Sequence, residues 1–283
     1  MPTQEELAAY YNSSYTVSQS RYARRVEEEF PLLGQIVSRA GVRPGRMLEI
    51  GCSYGDMLSR FAAQGWDVEG VEVDARATAH ARAVFGLTVH HGSLGDVRSS
   101  LSGRYDLITM FHVIEHITGV HRLADTLATL VAPGGVLLIR TPNGASLMSR
   151  ILRGWWEWSA VPEHVHLFTN TSLRTLLARC GFEPELSFTR RGDAHSTIHE
   201  LIRGTARQLS KTQPRGERLF AAAARGTTIT APLSGNIAYK GVVRILDAVS
   251  RPVDLLLDAA SAASHSALQP ELLLLARRSG DHV

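Results

Sequence analysis

Ten residues constrain this chain more than any others: Met47-Leu48-Glu49-Ile50-Gly51-Cys52-Ser53-Tyr54-Gly55-Asp56, an apolar run that ends in an acid and turns through two glycines. The run continues into Met57-Leu58-Ser59-Arg60-Phe61, so the pattern predicts a strand, a tight loop and a helix. Gly51 and Gly55 can take positive φ and let a ligand lie close against the backbone. The helix that follows points its free N–H groups at the same place. A polar or negatively charged guest is therefore expected. A pyrophosphate fits poorly, because the dinucleotide fingerprint G-x-G-x-x-G needs glycine at 53 and 56, where this chain has Ser53 and Asp56. A single carboxylate fits better.

From 46 to 140, apolar strand runs alternate with helical patterns: Met47 to Ile50, a helix to Gln64, Val68 to Val73, a helix from Ala75 to Phe85, then Thr88 to His90. Such alternation predicts parallel strands joined by right-handed crossovers, with the ligand beyond the carboxyl ends of the strands. Glu72 closes the second strand 21 residues after Gly51, where its carboxylate can accept both hydroxyls of a ribose.

At this point the run Glu49-x-Gly51-x-Ser53-x-Gly55 resembles the first motif of class I S-adenosylmethionine-dependent methyltransferases, with Ser53 in place of the usual middle glycine. Trp66 to Asp74, His91-Gly92-Ser93-Leu94, Tyr105 to Met110 and Pro133 to Ile139 resemble the later strand regions of that family, in order. The resemblance covers roughly residues 40 to 190. It implies an α/β fold with a doubly wound, mostly parallel seven-stranded sheet, Rossmann-like, an N-terminal helical lid and a C-terminal helical insertion before the last strand. It also implies S-adenosyl-L-methionine as cofactor, held by Glu49, Gly51, Ser53, Gly55, Glu72, Val73, Gly92, Ser93, Phe111 and His112. Ser93 stands where the family often has an aspartate that reads the adenine amino group. Part of that recognition is therefore expected from the Gly92 backbone.

The segment Phe111-His112-Val113-Ile114-Glu115-His116 has three readings. If helical, residues 112, 115 and 116 share one face at metal-ligand spacing, and H-x-x-E-H is formally the pattern of a zinc peptidase. A five-residue pattern recurs by chance in a chain with 12 histidines, and here it sits in register with the methyltransferase motifs. The segment is also similar to a Glu-x-x-Glu-His run linked to a divalent metal in ubiquinone-type O-methyltransferases, with His112 replacing the first glutamate. A metal is therefore allowed but not expected. In the third reading these residues line the cofactor pocket and anchor the next helix.

Beyond the fifth strand come Trp155-Trp156-Glu157-Trp158 and Val161-Pro162-Glu163-His164-Val165-His166-Leu167-Phe168. Bulky indoles either close a core or wall an apolar substrate pocket, and Trp155, Trp156 and Trp158 are candidates for the wall together with Tyr15 and Tyr22. In similar sequences a histidine at this point faces the acceptor, so His164 is the first candidate base, His166 the second and Glu115 the third. The function expected is methyl transfer to a small molecule, a secondary metabolite or quinone-like acceptor, at oxygen. Carbon methylation of a prenyl or polyketide chain is the alternative on the same fold. A non-catalytic binding module is the rival class, against which Glu49, Gly51, Gly55 and Glu72 are intact.

Composition narrows the partners. The net charge is only +3 and nearly all of the positive charge is arginine, because Lys211 and Lys240 are the only lysines. The basic region from Arg203 to Arg225 holds one aromatic, Phe220, so nucleic acid is not expected. No stretch reaches ~20 apolar residues, so neither membrane insertion nor a location outside the cytoplasm is expected. Two cysteines, Cys52 and Cys180, argue for neither a zinc cluster nor a disulfide. A homo-oligomer is compatible with the chain. The expected divisions are a helical lid over 1–40, in which Pro31 is expected to divide the second helix, a cofactor core over 41–190, a helical cap over 191–265, and a last strand with its tail over 266–283.

Overall fold

The computed structural model describes residues 19–156, 158–159, 164–190 and 270–280. The expected insertion over 191–265, Tyr15 and the side chain of Trp155 lie outside the described residues. The chain divides into two compact units. One comprises Met1–Ser14, Pro142–Thr169 and Phe188–Leu272, the other Tyr15–Thr141, Asn170–Ser187 and Leu273–Val283.

Seven strands form one sheet: β1 (Arg46–Ile50), β2 (Asp67–Glu72), β3 (Thr88–His91), β4 (Tyr105–Phe111), β5 (Val131–Pro142), β6 (Phe182–Arg190) and β7 (Glu271–Arg278). Their order is β3-β2-β1-β4-β5-β7-β6. The strands from β3 through β5 run parallel, with Ile50 opposite both Val71 and Met110. β7 runs the other way. Its start meets the end of β5, where Asn143 N donates to Pro270 O at 2.7 Å, and its end meets the start of β6, where Ser279 N donates to Gly181 O at 3.0 Å. The last strand therefore lies one place in from the edge. The expected doubly wound sheet is present, with one reversed strand.

Local chemistry explains the element ends. Helix α2 (Asp56–Ala63) starts from Gly55 at φ 86° and buries Met57, Leu58 and Phe61 against the sheet. Helix α3 (Ala75–Phe85) is capped by the Asp74 side chain, which accepts from Arg76 N and Ala77 N, and stops at Gly86 in the left-handed region. The short α4 (Leu94–Val97) opens on a reciprocal cap between Ser93 and Asp96. Helices α5 (Val120–Leu130), α6 (Leu147–Leu152) and α7 (Asn170–Ala178) follow. Strands β1 and β4 are buried along almost their whole length, as parallel strands covered on both faces must be.

Helix α1 (Gln19–Arg39) precedes the sheet and runs unbroken through Pro31, contrary to the expected division. Pro31 is exposed, while Val26, Leu33, Ile36 and Val37 are buried on either side of it. Packing of that apolar stripe outweighs the roughly 3 kcal/mol that an interior proline costs. Among the described residues, no helix is long and apolar enough to cross a membrane.

Candidate cofactor site

Strand order reverses between β1 and β4, so the carboxyl ends of these two strands open the crevice in which sheets of this kind bind ligands. The glycine loop occupies that crevice. Gly51 sits at φ 77°, and a Cβ there would come within 2.3 Å of Val113 Cγ2. Gly55 N donates to Cys52 O at 2.9 Å, which closes the turn. Between the glycines, Ser53 holds φ 50°, a left-handed conformation that a side chain disfavours by roughly 1–2 kcal/mol. Ser53→Gly is expected to raise stability in urea denaturation by roughly 1 kcal/mol or less, since the glycine also gives the unfolded chain more freedom.

The end of β2 is tied to this loop through Glu72. Its carboxylate accepts from Ser53 N and from Asp74 N, each at 2.8 Å. Burial pushes the Glu72 carboxyl upward, and the backbone N–H groups of Asp74, Ser53 and Val73 counter part of that. Val73 lies exposed at the mouth, and Gly92 N donates to Glu72 O at 2.9 Å, which brings the end of β3 alongside. The Ser93 hydroxyl is engaged, donating to Asp96 Oδ2 at 2.6 Å.

Glu49, the last acid of β1, is the unusual member. It is 1% exposed, and neither carboxylate oxygen has a hydrogen-bond partner. Burial pushes its pKa up from the ordinary 4.5 to about 8; the Arg140 charge works against this and the Glu72 and Asp56 charges add to it. Asp56, at the start of α2, is also raised, chiefly by burial, and its Oδ2 is buried without a hydrogen bond. From α1, Tyr22 reaches over the loop, its hydroxyl donating to Cys52 O at 3.5 Å and its ring 6.5 Å from that of Tyr54. Burial, then Glu49, Cys52 and Asp56, push the Tyr22 phenol well up, so the hydroxyl stays protonated and able to donate.

Beyond the loop, the end of β4 carries Phe111 and His112. The Arg140 guanidinium of β5 lies 5.0 Å over the Phe111 ring and is ion-paired with Glu29 of α1. His112 takes φ 55°, and its N donates to Arg140 O at 2.9 Å. Only Ile114–His116 form a single 3₁₀ turn. His112 stands outside that turn in a left-handed conformation, so 112, 115 and 116 do not share a helical face. The zinc-peptidase reading, which needs that face, therefore fails. Glu115 is fully buried, accepts from the Thr141 hydroxyl at 3.0 Å and has His112 Nδ1 at 3.4 Å from Oε1.

The other unit holds the remaining candidates. His164 Nδ1 is 2.6 Å from Trp158 O, and the imidazole stacks on the Trp158 ring at 5.7 Å. A carbonyl only accepts, so Nδ1 carries the proton and Nε2 the lone pair. The His166 ring tilts against Phe168 at 5.6 Å, and its Nε2 is buried without a hydrogen bond. Trp156 is 1% exposed and packs as a core residue.

Sequence reasoning did not single out Arg140, Glu29 or the charge of Asp56. A signal for the first was present: Arg140 is the one charged residue in the otherwise apolar run Val136-Leu137-Leu138-Ile139-Arg140.

The ubiquinone biosynthesis O-methyltransferase of Aromatoleum aromaticum is 29% identical over 116 residues, 39% of this chain and 50% of that protein. The protein of the same name from Pectobacterium atrosepticum is 28% identical over 142 residues, 47% of this chain and 59% of its own length. The chain thus spans between half and three fifths of these curated relatives. A SAM dependent methyltransferase from Archaeoglobus fulgidus, 16% identical, shares the fold with a TM-score of 0.51 over 88% of this chain and 94% of that one. Residues 21–186, more than half of the chain, match the family described as "Methyltransferase domain", and the chain belongs to that family.

Proposed function

We propose that this chain is an S-adenosylmethionine-dependent methyltransferase that methylates a hydroxyl oxygen of a small, quinone-like or secondary-metabolite acceptor. The observation that carries the reading is Glu49. A buried carboxyl with neither oxygen hydrogen-bonded among the described residues, pushed further up by the charges of two other acids, is built for a guest that brings positive charge. A sulfonium and an ammonium on one ligand supply that charge, whereas a pyrophosphate would meet three carboxyl groups. Glu72 adds acceptors for ribose hydroxyls, and the loop between Gly51 and Gly55 admits the ligand against the backbone.

Bound S-adenosylmethionine would supply an electrophilic methyl group. The protein's own tasks are then to align the acceptor with it, exclude water and take up the hydroxyl proton. The Glu49 and Glu72 carboxyls, with Tyr22 over the loop, would hold the cofactor. His164 suits the proton transfer, since its Nδ1–H is anchored on a carbonyl and its Nε2 is the basic nitrogen; His166 is the second choice. The O-methyltransferase names of the relatives support oxygen as the methylated atom and a quinone-like acceptor.

Calorimetric titration tests this directly. The purified chain is expected to bind S-adenosylmethionine in the micromolar range and not to bind reduced nicotinamide dinucleotide. Glu72→Gln should weaken the former by roughly tenfold, the value of one charge-assisted hydrogen bond. Labelled-methyl transfer to hydroxylated quinones, abolished in His164→Ala, is the expected activity. Binding of the dinucleotide alone would defeat the proposal.

A further inference from the structure

Parallel pairing places one row of side chains across the middle of the sheet. Glu49 of β1 stands opposite Gly70 of β2 and opposite Thr109 of β4, and Thr109 stands opposite Leu138 of β5. Residues paired in this way point to the same face, with neighbouring strands about 5 Å apart. Two residues further along the same face, Phe111 stands opposite Arg140, which is ion-paired with Glu29, so this is the face that α1 covers. On its β2 side Glu49 has only a glycine, and the place a Gly70 Cβ would take is crowded by Cys52 Sγ at 2.7 Å and Leu58 Cδ2 at 3.1 Å. The polar neighbour of Glu49 within its row is therefore the Thr109 hydroxyl. Thr109 is fully buried and Glu49 is 1% exposed. Among the described residues, neither the hydroxyl nor either carboxyl oxygen has a hydrogen-bond partner. The buried acids of β2 differ, since Glu72 is met by backbone N–H groups and Glu69 by the Ser102 and Tyr105 hydroxyls. A hydroxyl and a carboxyl placed side by side at this depth, without a direct bond, supply the two polar partners that a buried water needs.

We propose that Thr109 is a positioning residue for Glu49, acting through one buried water that bonds both the Thr109 hydroxyl and the Glu49 carboxyl. The inference rests on the reading of this crevice as the S-adenosylmethionine site. The water engages one carboxyl oxygen and leaves the other for the cationic end of the ligand. Thr109 itself touches neither cofactor nor acceptor. Its effect is to hold the carboxyl in one orientation before the ligand arrives, so that less side-chain freedom is lost on binding.

The test is the pair Thr109→Val, which keeps the shape and removes the hydroxyl, and Thr109→Ser, which keeps the hydroxyl. In calorimetric titration with S-adenosylmethionine, affinity should fall about tenfold in Thr109→Val and stay within about threefold of wild type in Thr109→Ser. Thermal unfolding of the ligand-free protein separates a water-holding hydroxyl from an orphan. Replacing an orphan by a methyl group would leave the Tm unchanged or raise it, whereas taking one partner from a buried water should lower it by about 2–4 °C. In a Glu49→Met background the water has already lost its other partner, so Thr109→Val should lower the Tm no further. A high-resolution crystal structure of the ligand-free protein should show a water within hydrogen-bond distance of Thr109 Oγ1 and of a Glu49 oxygen.

A Thr109→Val protein that melts at or above the wild-type temperature overturns the proposal, and so does a drop in Tm that is equally large in the Glu49→Met background. Unchanged affinity in Thr109→Val, in a protein whose wild type binds S-adenosylmethionine, overturns the positioning role. If Thr109→Val does not fold, the crystal structure decides: a water bonded to both groups supports the proposal, and a direct bond or a dry contact overturns it. Melting temperatures that move as expected in a protein whose wild type binds no S-adenosylmethionine would leave the link between Thr109 and Glu49 standing and remove the cofactor reading instead.

Discussion

Glu49→Gln is expected to make the ligand-free protein more stable and a poorer binder of S-adenosylmethionine. The Glu49 carboxyl is raised to about 8, chiefly by burial. A folded state that holds the proton more tightly than the unfolded chain loses stability as pH rises between the two values. The cost is absent below the ordinary 4.5, grows through neutrality and is complete above about 8. At pH 7 it amounts to roughly 3 kcal/mol. Glutamine has the same shape and no ionisation. Thermal unfolding of the variant should therefore match wild type near pH 4.5 and exceed it by several degrees at pH 8. Binding moves the other way, because an amide offers a cationic guest no charge, and a loss of about a hundredfold is expected from calorimetry. A variant that is destabilised at pH 8 would contradict this account.

Glu69→Ala should do the reverse. Glu69 sits one register step from the residue opposite Glu49, since Glu49 pairs with Gly70. It too is buried, but its oxygens accept from the Tyr105 hydroxyl, from Ser102 Oγ at 2.9 and 2.8 Å, and from His90 Nε2 at 2.8 Å. Burial works to raise its pKa, and the bonds from Tyr105, His90 and Ser102 more than offset it, so the group ends below its ordinary value. Its contribution is present above the unfolded value and is lost as pH falls through the lower folded one. Removing it strands a buried phenol, a hydroxyl and an imidazole, at about 3 kcal/mol in urea denaturation at pH 7. Affinity for S-adenosylmethionine should stay within about twofold, because Glu69 touches none of the loop. A loss of binding larger than the loss of folded protein would show that the two networks are coupled.

These two acids also mark how far the sequence could be read. The strand and helix limits from Arg46 to His91 were legible because their causes are local: an apolar run, two glycines, and Asp74 as a cap. Glu49 and Glu72 were placed at the crevice by position alone. Which carboxyl is satisfied and which is not depends on Tyr105, Ser102 and His90, residues that only the folded sheet brings to Glu69. The same limit hid the pair between Glu29 and Arg140. The shared-face reading of His112, Glu115 and His116 could not be decided from sequence for another reason: an i, i+3, i+4 pattern implies a shared face only where a helix exists, and the chain here turns through a left-handed residue. Pro31 was over-weighted because the apolar stripe on either side of it was stronger than its local penalty.

The position of β7 between β5 and β6 has a bearing on how the protein is made. A chain emerging from the ribosome can pair β1 through β5 as soon as they appear, since each finds a neighbour already synthesised. β6 cannot join, because the strand that belongs beside it lies beyond residues 191–270. Until then the outer edge of β5 presents unpaired backbone groups, the kind of edge that recruits strands from other chains. Arg277 then secures the late arrival, donating to Gly134 O at 2.8 Å and to Ala40 O at 2.7 Å while pairing with Glu185. The strand translated after its six partners is thus the one that seals the sheet, and premature termination before it would leave β5 with an open, adhesive side.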